Sequence, residues 1–375
     1  MGLKGSTSTT RDLPDEVKRQ HVLDALAIDP AARQGPGSIR ENIRRDSKVH
    51  LTVKCVRDEM RAINPGGFAA RDPSAKKITR STLTSPGPHA EWSADGHDKL
   101  KEIGFPIWGI RDKWSRKWIG LWVVPCNRKL EVVAYCYLTA ILDVEGRPRQ
   151  TTTDCGSETT LIYGLANALA EIERVPMEDP NISAHRFLKS VRNITIERGW
   201  VSLRMNVVEN IRMCWNAGAH LVNRADPNQK YVLITILHNL LTQTWAFSEL
   251  VNWLWSGYIQ EELDKFRVKM NAHKPRVNHN QRLPTAISPN IAMETYRTQN
   301  AEWCLEPTNL ELVRQLREQL GGDQLIRFNS PGYGQLAQSV LTSLNLSIRM
   351  VTGVNIWTVY QKMLPQMMEL VVFLF

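Results

Sequence analysis

The chain has 375 residues and a formal net charge of +9, with 47 Lys and Arg against 38 Asp and Glu. Its hydrophobic fraction of 42% and charged fraction of 23% exclude a disordered tail and a bundle of membrane helices. Single cores stop growing at roughly 250–300 residues, so this length predicts two or three structural units. The basic excess is compatible with a polyphosphate partner such as a nucleic acid, although charge alone does not establish one.

The six cysteines are scattered along the chain without a CxxC pair, and no cleavable signal peptide is recognisable at its start. We therefore expect a reduced, intracellular protein without a structural zinc site. Cys155 lies beside an acidic residue of interest, Asp154, and is interpreted as a buried bystander.

Residues 1–32 are polar, with Ser and Thr runs and no long apolar face, so we expect them to be mostly disordered, with at most one short helix near Glu16–Leu26.

Organised structure is predicted from residue 33 to residue 66. Ser38 and Glu41 have the spacing of a capping box at the start of one short helix. Thr52 is predicted to cap a second helix.

In the second of these helices, Lys54, Arg57 and Arg61 share one face, and the apolar side chains share another. Two short helices with a basic outer stripe are typical of a helix-turn-helix DNA-binding region, since the second helix enters a groove lined by phosphates. The alternative is a solvated helical hairpin. Between Arg33 and Arg80 there are twelve Lys and Arg against five Asp and Glu, which favours DNA binding. Residues 67–90 are predicted to be a basic linker.

From residue 91 the pattern changes to short apolar strands, followed by alternating helix and strand. Such an order predicts an α/β fold, a mixed sheet with helices on its faces. The predicted elements are strands at Glu91–His97, Phe105–Arg111 and Trp118–Val124, a helix at Glu131–Asp143, a strand at Thr151–Asp154 and a helix ending near Ile172.

Three acidic residues occupy notable places in these elements. Asp95 lies at the end of the first strand, Asp154 follows 59 residues later at the end of the fourth, and Glu197 lies on a later helix. Three convergent carboxylates repel one another, and hard divalent cations such as Mg²⁺ or Mn²⁺ relieve that repulsion. Spacing alone is weak support, because an Asp that ends a strand usually caps a turn.

Four strings, in one fixed order, resemble the DDE-type integrase core of retroviral integrases, insertion-sequence transposases and integrase-core proteins of fungi, the fungal proteins most closely. They are Trp92-Ser-Ala-Asp95-Gly-His97-Asp-Lys-Leu100, Gly109-Ile-Arg-Asp-Lys-Trp-Ser115-Arg116-Lys-Trp-Ile-Gly120, Thr153-Asp154-Cys-Gly156-Ser-Glu158 and Arg192-Asn193-Ile-Thr-Ile-Glu197-Arg198-Gly-Trp200. The segment 35–65 resembles the helix-turn-helix that precedes the core in many insertion-sequence transposases.

The resemblance implies a ribonuclease-H-like fold and a polynucleotidyl transferase in which Asp95, Asp154 and Glu197 bind the catalytic metals. It also implies DNA partners, namely element ends and target, a homo-oligomer assembled on DNA, and nuclear residence. His97 is predicted to contact DNA near the site or to cap its strand. Two alternatives stay open: an inactive, domesticated relative that binds DNA or a protein partner, and a nuclease without strand transfer.

The predicted core spans residues 91–290, followed by a helical C-terminal region at 291–375. Within the core, Lys230–Phe247 is apolar and looks inserted relative to the family. It contains His238 and Gln243, which disfavours a membrane span. A packed helix and a retained intron are its two interpretations. Trp253 and Trp255, which follow it, are interpreted as core aromatics.

Overall fold

A computed structural model of the chain describes residues 5–66, 83–173, 183–189, 193–218 and 238–372. The chain divides into two compact units. One unit comprises Met1–Thr79, Arg204–Arg224 and Thr352–Trp357, and the other comprises Arg80–Leu203, Ala225–Val351 and Thr358–Phe375. No helix in the described ranges is both long enough and apolar enough to cross a lipid bilayer.

The helices are α1 (Ser6–Asp12), α2 (Asp15–Ala27), α3 (Pro36–Ser47), α4 (Val53–Ile63), α5 (Leu130–Val144), α6 (Thr160–Ile172), α7 (Ile194–Leu203), α8 (Glu209–Gly218), α9 (His238–Ala272), α10 (Pro289–Glu294), α11 (Leu310–Gln319), α12 (Pro331–Ser343) and α13 (Ile356–Val372). The strands are β1 (Glu91–His97), β2 (Ile107–Asp112), β3 (Trp118–Val123), β4 (Arg147–Pro148), β5 (Gln150–Asp154), β6 (His185–Leu188) and β7 (Leu305–Glu306).

The first unit is built around α2, α3 and α4, whose apolar side chains form one cluster. Its fully or nearly buried members are Val22, Ala25, Ile39, Ile43, Leu51, Val56 and Met60. The expectation that residues 1–32 are mostly disordered is wrong, because α1 and α2 occupy most of the described part of that segment. The helix α2 buries only Val22 and Ala25, so its stability depends on α3 and α4, which a local pattern does not show.

The two helices predicted between residues 33 and 66 are present, and one of their two caps differs from the prediction. Thr52 caps α4, since its hydroxyl accepts a hydrogen bond from the Cys55 N–H at 3.2 Å. The prediction that Ser38 and Glu41 form a capping box is wrong. The helix α3 starts earlier, with Pro36 in its first turn, because the fixed φ of proline suits that position. The Glu41 carboxylate instead pairs with Arg44 at 2.9 Å.

Part of the predicted linker belongs to the second unit. Residues 67–82 lie outside the described residues, and residues 83–90 lead into β1. The carbonyl of Pro86 accepts a hydrogen bond from the Glu302 N–H at 3.1 Å, and that of Pro88 accepts one from the Cys304 N–H at 3.0 Å. These backbone pairs attach residues 86–88 to the core, so the linker prediction is wrong for this stretch.

The second unit contains a five-stranded sheet in the order β3-β2-β1-β5-β6. The three strands β1, β2 and β3 form an antiparallel meander, whereas β5 is parallel to β1 and β6 is parallel to β5. This confirms the predicted mixed α/β sheet. The edge strand β6 was not predicted, because it is only four residues long and its Arg186 and Phe187 are exposed.

Helices cover both faces of the sheet. On one face α5 and α6 bury the main core, which includes Trp92, Trp108 and Ile110 from the strands. On the other face α7 packs on β1 and β2. The helix α9 lies beside β3, where the side-chain amide of Asn271 bonds both backbone groups of Trp118, at 2.8 and 2.9 Å. Such amide contacts satisfy backbone groups that the free edge of a sheet leaves unpaired.

The long helix α9 includes part of the segment interpreted as an insertion. Residues 230–237 lie outside the described residues, and residues 238–247 form the start of α9. Whether Lys230–Phe247 is an insertion stays a prediction. Beyond it, Trp255 is fully buried, as a core aromatic should be, and Trp253 is half-buried. The C-terminal region is helical, as expected, with α11, α12 and α13.

His89, just before β1, makes the stability of this fold sensitive to acid. Its Nδ1 accepts a hydrogen bond from the Trp92 indole N–H at 3.0 Å, which requires a neutral ring nitrogen. Burial, with a smaller contribution from the charge of Lys117, lowers the pKa of His89 from 6.5 to about 4. The unfolded chain therefore binds a proton before the folded chain does, so stability present above pH 6.5 is lost as pH falls towards 4.

The substitution His89→Gln keeps a hydrogen-bond acceptor but does not titrate. Between pH 6.5 and 4 the wild type should lose up to about 3 kcal/mol more free energy of unfolding than the variant. Urea unfolding of both proteins at pH 7, 5.5 and 4.5 measures the difference. Parallel losses in the two proteins would show that His89 does not titrate in this window.

Candidate active site

The strand pairing brings Asp95 and Asp154 to the same level of the sheet. In the parallel pair of β1 and β5, Glu91 is opposite Gln150 and Ser93 is opposite Thr152, so each residue of β1 is level with the residue 59 positions later. Continued to the strand ends, this register sets Asp95 beside Asp154. Neighbouring strands are about 4.8 Å apart and side chains alternate between faces, so both carboxylates lie on the face covered by α7.

Glu197 reaches this region on α7, whose first turn is fastened to β1. The side-chain amide of Asn193 donates to the carbonyl of Ala94 at 3.3 Å and also accepts a hydrogen bond from the Ser93 hydroxyl. The Asn193 carbonyl in turn accepts from the N–H of Glu197 at 3.3 Å. One asparagine thus links the residue before Asp95 to the backbone of Glu197.

A half-buried arginine holds the same turn of α7 from the other side. The Arg111 guanidinium on β2 donates to the carbonyl of Thr195 at 2.9 Å and to that of Arg116 at 2.8 Å. It also lies over the ring of Trp118, 5.4 Å from the ring centroid. These contacts tie the turn between β2 and β3 to the start of α7, so the helix is held at two points.

Within the described part of the chain, two hydrogen bonds orient the Asp95 carboxylate. The Trp200 indole N–H donates to one oxygen at 2.9 Å, and the Gly96 backbone N–H donates to the other at 2.8 Å. Each oxygen keeps a second lone pair, so the carboxylate is still able to bind a cation. Asp95 therefore has one defined orientation at the end of β1.

The three carboxylates are close enough for their charges to act on one another. The pKa of Asp95 is raised to about 7, mainly by burial, with the charges of Asp154 and Glu197 as smaller contributions in the same direction. The pKa of Glu197 is also raised, by burial first and then by the charge of Asp154. None of the three forms an ion pair with any residue in the described part of the chain. Among the described residues, no cationic side chain is paired with this negative charge.

Two nearby acids behave differently, because an arginine neutralises them. Arg128, just before α5, pairs with Asp98 at 2.9 Å and makes a short contact with the buried Glu158. These acids follow β1 and β5, so Arg128 bridges the two segments that lead away from Asp95 and Asp154. A Cβ atom on Gly156 would lie 2.6 Å from the Glu158 carboxylate, so a larger residue here would require the end of that side chain to shift.

The donor set fits a hard divalent cation, since carboxylate oxygens are the ligands that Mg²⁺ and Mn²⁺ prefer and uncompensated charge favours their binding. The arrangement is not that of a finished site. Among the described residues, no group of three or more His, Cys, Asp or Glu side chains is already positioned to hold a metal ion. Side-chain adjustment would have to accompany binding.

Other residues singled out from the sequence lie in different surroundings. His97 is only 7% exposed and its ring packs 5.0 Å from that of Trp200, so the structure does not support a DNA contact through His97. Cys155 is exposed rather than buried, with its sulfur 3.7 Å from the Leu188 carbonyl. In the first unit, Lys54, Arg57 and Arg61 are exposed on α4.

Sequence reasoning missed the residues that hold the carboxylates in place. Asn193 and Trp200 stand in the same string as Glu197, but the sequence analysis assigned neither of them a role in the site. Arg128 stands outside all four strings. The only available signal was position: Asn193 precedes Glu197 by one helical turn, and Trp200 follows it by nearly one.

The comparisons with known proteins bear on the second unit. Among curated proteins, none is detectably similar to this chain. A family model described as an integrase core domain matches residues 83–301, more than half of the chain. The match spans the five-stranded sheet and α5 to α10, and it includes Asp95, Asp154 and Glu197. The sheet and its flanking helices are those of a ribonuclease-H-like core, so this chain belongs to the integrase core domain family.

Proposed function

We propose that the protein is a DDE-type integrase or transposase, which cleaves phosphodiester bonds in DNA and joins DNA strands with the help of divalent metal ions. The parallel register that brings Asp95 level with Asp154 is the observation that carries this proposal. The charge of Glu197 acts on the same site from α7. The match to the integrase core family supports an integrase- or transposase-type function. The three carboxylates are the basis for proposing metal-dependent cleavage and joining as its reaction.

In this mechanism, water or a DNA 3′-hydroxyl attacks a phosphodiester bond in line with the leaving oxygen. Asp95 and Asp154 would hold Mg²⁺ or Mn²⁺, and Glu197 completes the site. When bound, two such ions activate the attacking oxygen and stabilise the leaving one. The protein's own residues supply orientation: Trp200 and Gly96 fix the Asp95 carboxylate, and Asn193 sets the start of the Glu197 helix.

The first unit is proposed to bind DNA as a helix-turn-helix. The exposed side chains of Lys54, Arg57 and Arg61 lie on α4, which follows α3 as a second helix suited to a groove. Element ends and target DNA are the proposed substrates, with the chain acting as a homo-oligomer on DNA in the nucleus. The competing function is a catalytically inactive protein that keeps this fold and binds DNA or a protein partner.

Metal dependence separates the two functions. With labelled duplex DNA, full-length protein should yield cleaved and joined products in Mg²⁺ or Mn²⁺ and none in EDTA. The metal should also stabilise the fold, by about 2.7 kcal/mol when its concentration is about 100 times its dissociation constant. Product analysis and thermal melting measure both effects. Folded, DNA-binding protein that shows neither product nor stabilisation would support the inactive alternative.

A further inference from the structure

We propose that Trp200 is the positioning residue of this site, which sets the orientation of Asp95 and its spacing from Glu197 through one hydrogen bond. The inference rests on the proposed function, since it concerns how the same carboxylates bind metal. Its starting observation is the 2.9 Å contact in which the indole N–H donates to Asp95. Trp200 follows Glu197 by three residues on α7, and residues three apart lie on neighbouring positions of a helix surface.

A space on the surface of the sheet, above Gly109, lets the indole of Trp200 reach Asp95. In the antiparallel pair of β1 and β2, Gly109 is directly opposite Asp95. A Cβ atom on Gly109 would lie only 2.5 Å from Cη2 of Trp200, closer than side-chain atoms can approach. The same Cβ would lie 2.9 Å from Cζ3 of Trp118, so any other residue at this position would displace one or both of these rings. The lack of a side chain at position 109 therefore leaves the space that the indole of Trp200 occupies.

Two further aromatic rings hold the indole in that space. The ring of Trp118 lies 5.2 Å from that of Trp200, and the ring of His97 lies 5.0 Å from it on the Asp95 strand. A Cβ on Gly199 would come within 2.6 Å of Trp118, so this neighbour of Trp200 must also be small. Trp200 is 5% exposed. With the ring fixed on several sides, its N–H has one direction, and that direction is towards Asp95.

The consequence is a fixed relation between two proposed metal ligands on different elements. Asp95 is on β1 and Glu197 is on α7, and the indole joins the helix to the carboxylate itself rather than to the strand backbone. Without the N–H, the hydrogen bond from Gly96 is the one that the Asp95 carboxylate keeps among the described residues, and its side chain can rotate more freely. Groups that orient a ligand in this way typically contribute about 10- to 100-fold to metal affinity.

The test uses Trp200→Phe, which keeps an aromatic ring and removes the N–H, and Trp108→Phe as a matched control. Trp108 is 1% exposed, is adjacent to Gly109 and packs in the core on the opposite face of the sheet. Mn²⁺ binding is measured by electron paramagnetic resonance of the free ion, and kcat and KM are measured for DNA cleavage. Trp200→Phe should bind Mn²⁺ about tenfold more weakly and lower kcat, with KM for DNA changed less than about twofold. Trp108→Phe should leave Mn²⁺ affinity unchanged.

A second variant guards against a folding defect. Gly109→Ala changes neither Trp200 nor any of the three carboxylates, but its Cβ would displace the indole rings of Trp200 and Trp118 that pack against position 109, so it should reproduce the loss of Mn²⁺ affinity. Wild-type Mn²⁺ affinity and kcat in both Trp200→Phe and Gly109→Ala would overturn the positioning role while leaving the proposed function intact. A wild type that neither binds Mn²⁺ nor cleaves DNA would overturn both.

Discussion

Replacing any one of the three carboxylates by its amide should lower metal-dependent cleavage and joining by orders of magnitude, while the protein stays folded and binds DNA. Asp95→Asn, Asp154→Asn and Glu197→Gln keep size and shape but remove charge that a hard cation needs. The three losses should be similar and far from additive, because the ligands act as one unit. A strand-transfer assay on labelled duplex, with DNA affinity measured in parallel, gives both quantities.

The structure identifies better and worse controls for this experiment. Glu158→Gln is a poor control, because Glu158 is buried and bridged by Arg128 to Asp98, so its loss disturbs the segments around the site. Glu311→Gln on α11 is a better one, since that carboxylate is 67% exposed and pairs only with a neighbour on its own helix in the described part of the chain. Equal activity in the three triad variants and in Glu311→Gln would contradict the proposed triad.

Neutralising the basic stripe on α4 should weaken DNA binding at all sequences and reduce its salt dependence. If Lys54, Arg57 and Arg61 each contact one phosphate, their joint replacement by Ala reduces the magnitude of the negative slope of log affinity against log salt by about three, since each contact releases roughly one counterion. Fluorescence anisotropy with full-length protein between low and moderate salt measures the slope. Metal-dependent chemistry on saturating DNA should survive, because no triad residue is changed.

This test must distinguish the effect of a lower net charge from the effect of removing charges at α4. The matched control replaces three exposed basic residues of the C-terminal helical region, Arg314, Arg349 and Lys362, by Ala. This variant has the same net charge as the stripe variant. If the salt dependence of DNA affinity decreases equally in both variants, general electrostatic attraction accounts for binding and the helix-turn-helix assignment fails. A loss confined to the stripe variant would support α4 as the DNA-contacting helix.

The sequence alone determined most of the sheet and the place of each triad residue in it. Strands β1, β2 and β3 have alternating or continuous apolar patterns bounded by turn residues, and such patterns depend on local spacing that a sequence shows directly. The separation of 59 residues between Asp95 and Asp154 equals the register offset of the parallel pair. The spacing of these two residues along the chain is therefore the spacing that aligns them in the strand pair.

Only the tertiary structure decided which side chains meet. The short strand β6 exists because β5 offers it a hydrogen-bonded edge, and α2 because α3 and α4 cover its two buried residues. His97 looked available for DNA, but the ring of Trp200 covers it. Trp200 stood in the string around Glu197 without an assigned role, and its hydrogen bond to Asp95 arises only when α7 packs over Gly109. Contacts between residues a hundred positions apart depend on packing and backbone register together, and no local pattern in the sequence records them.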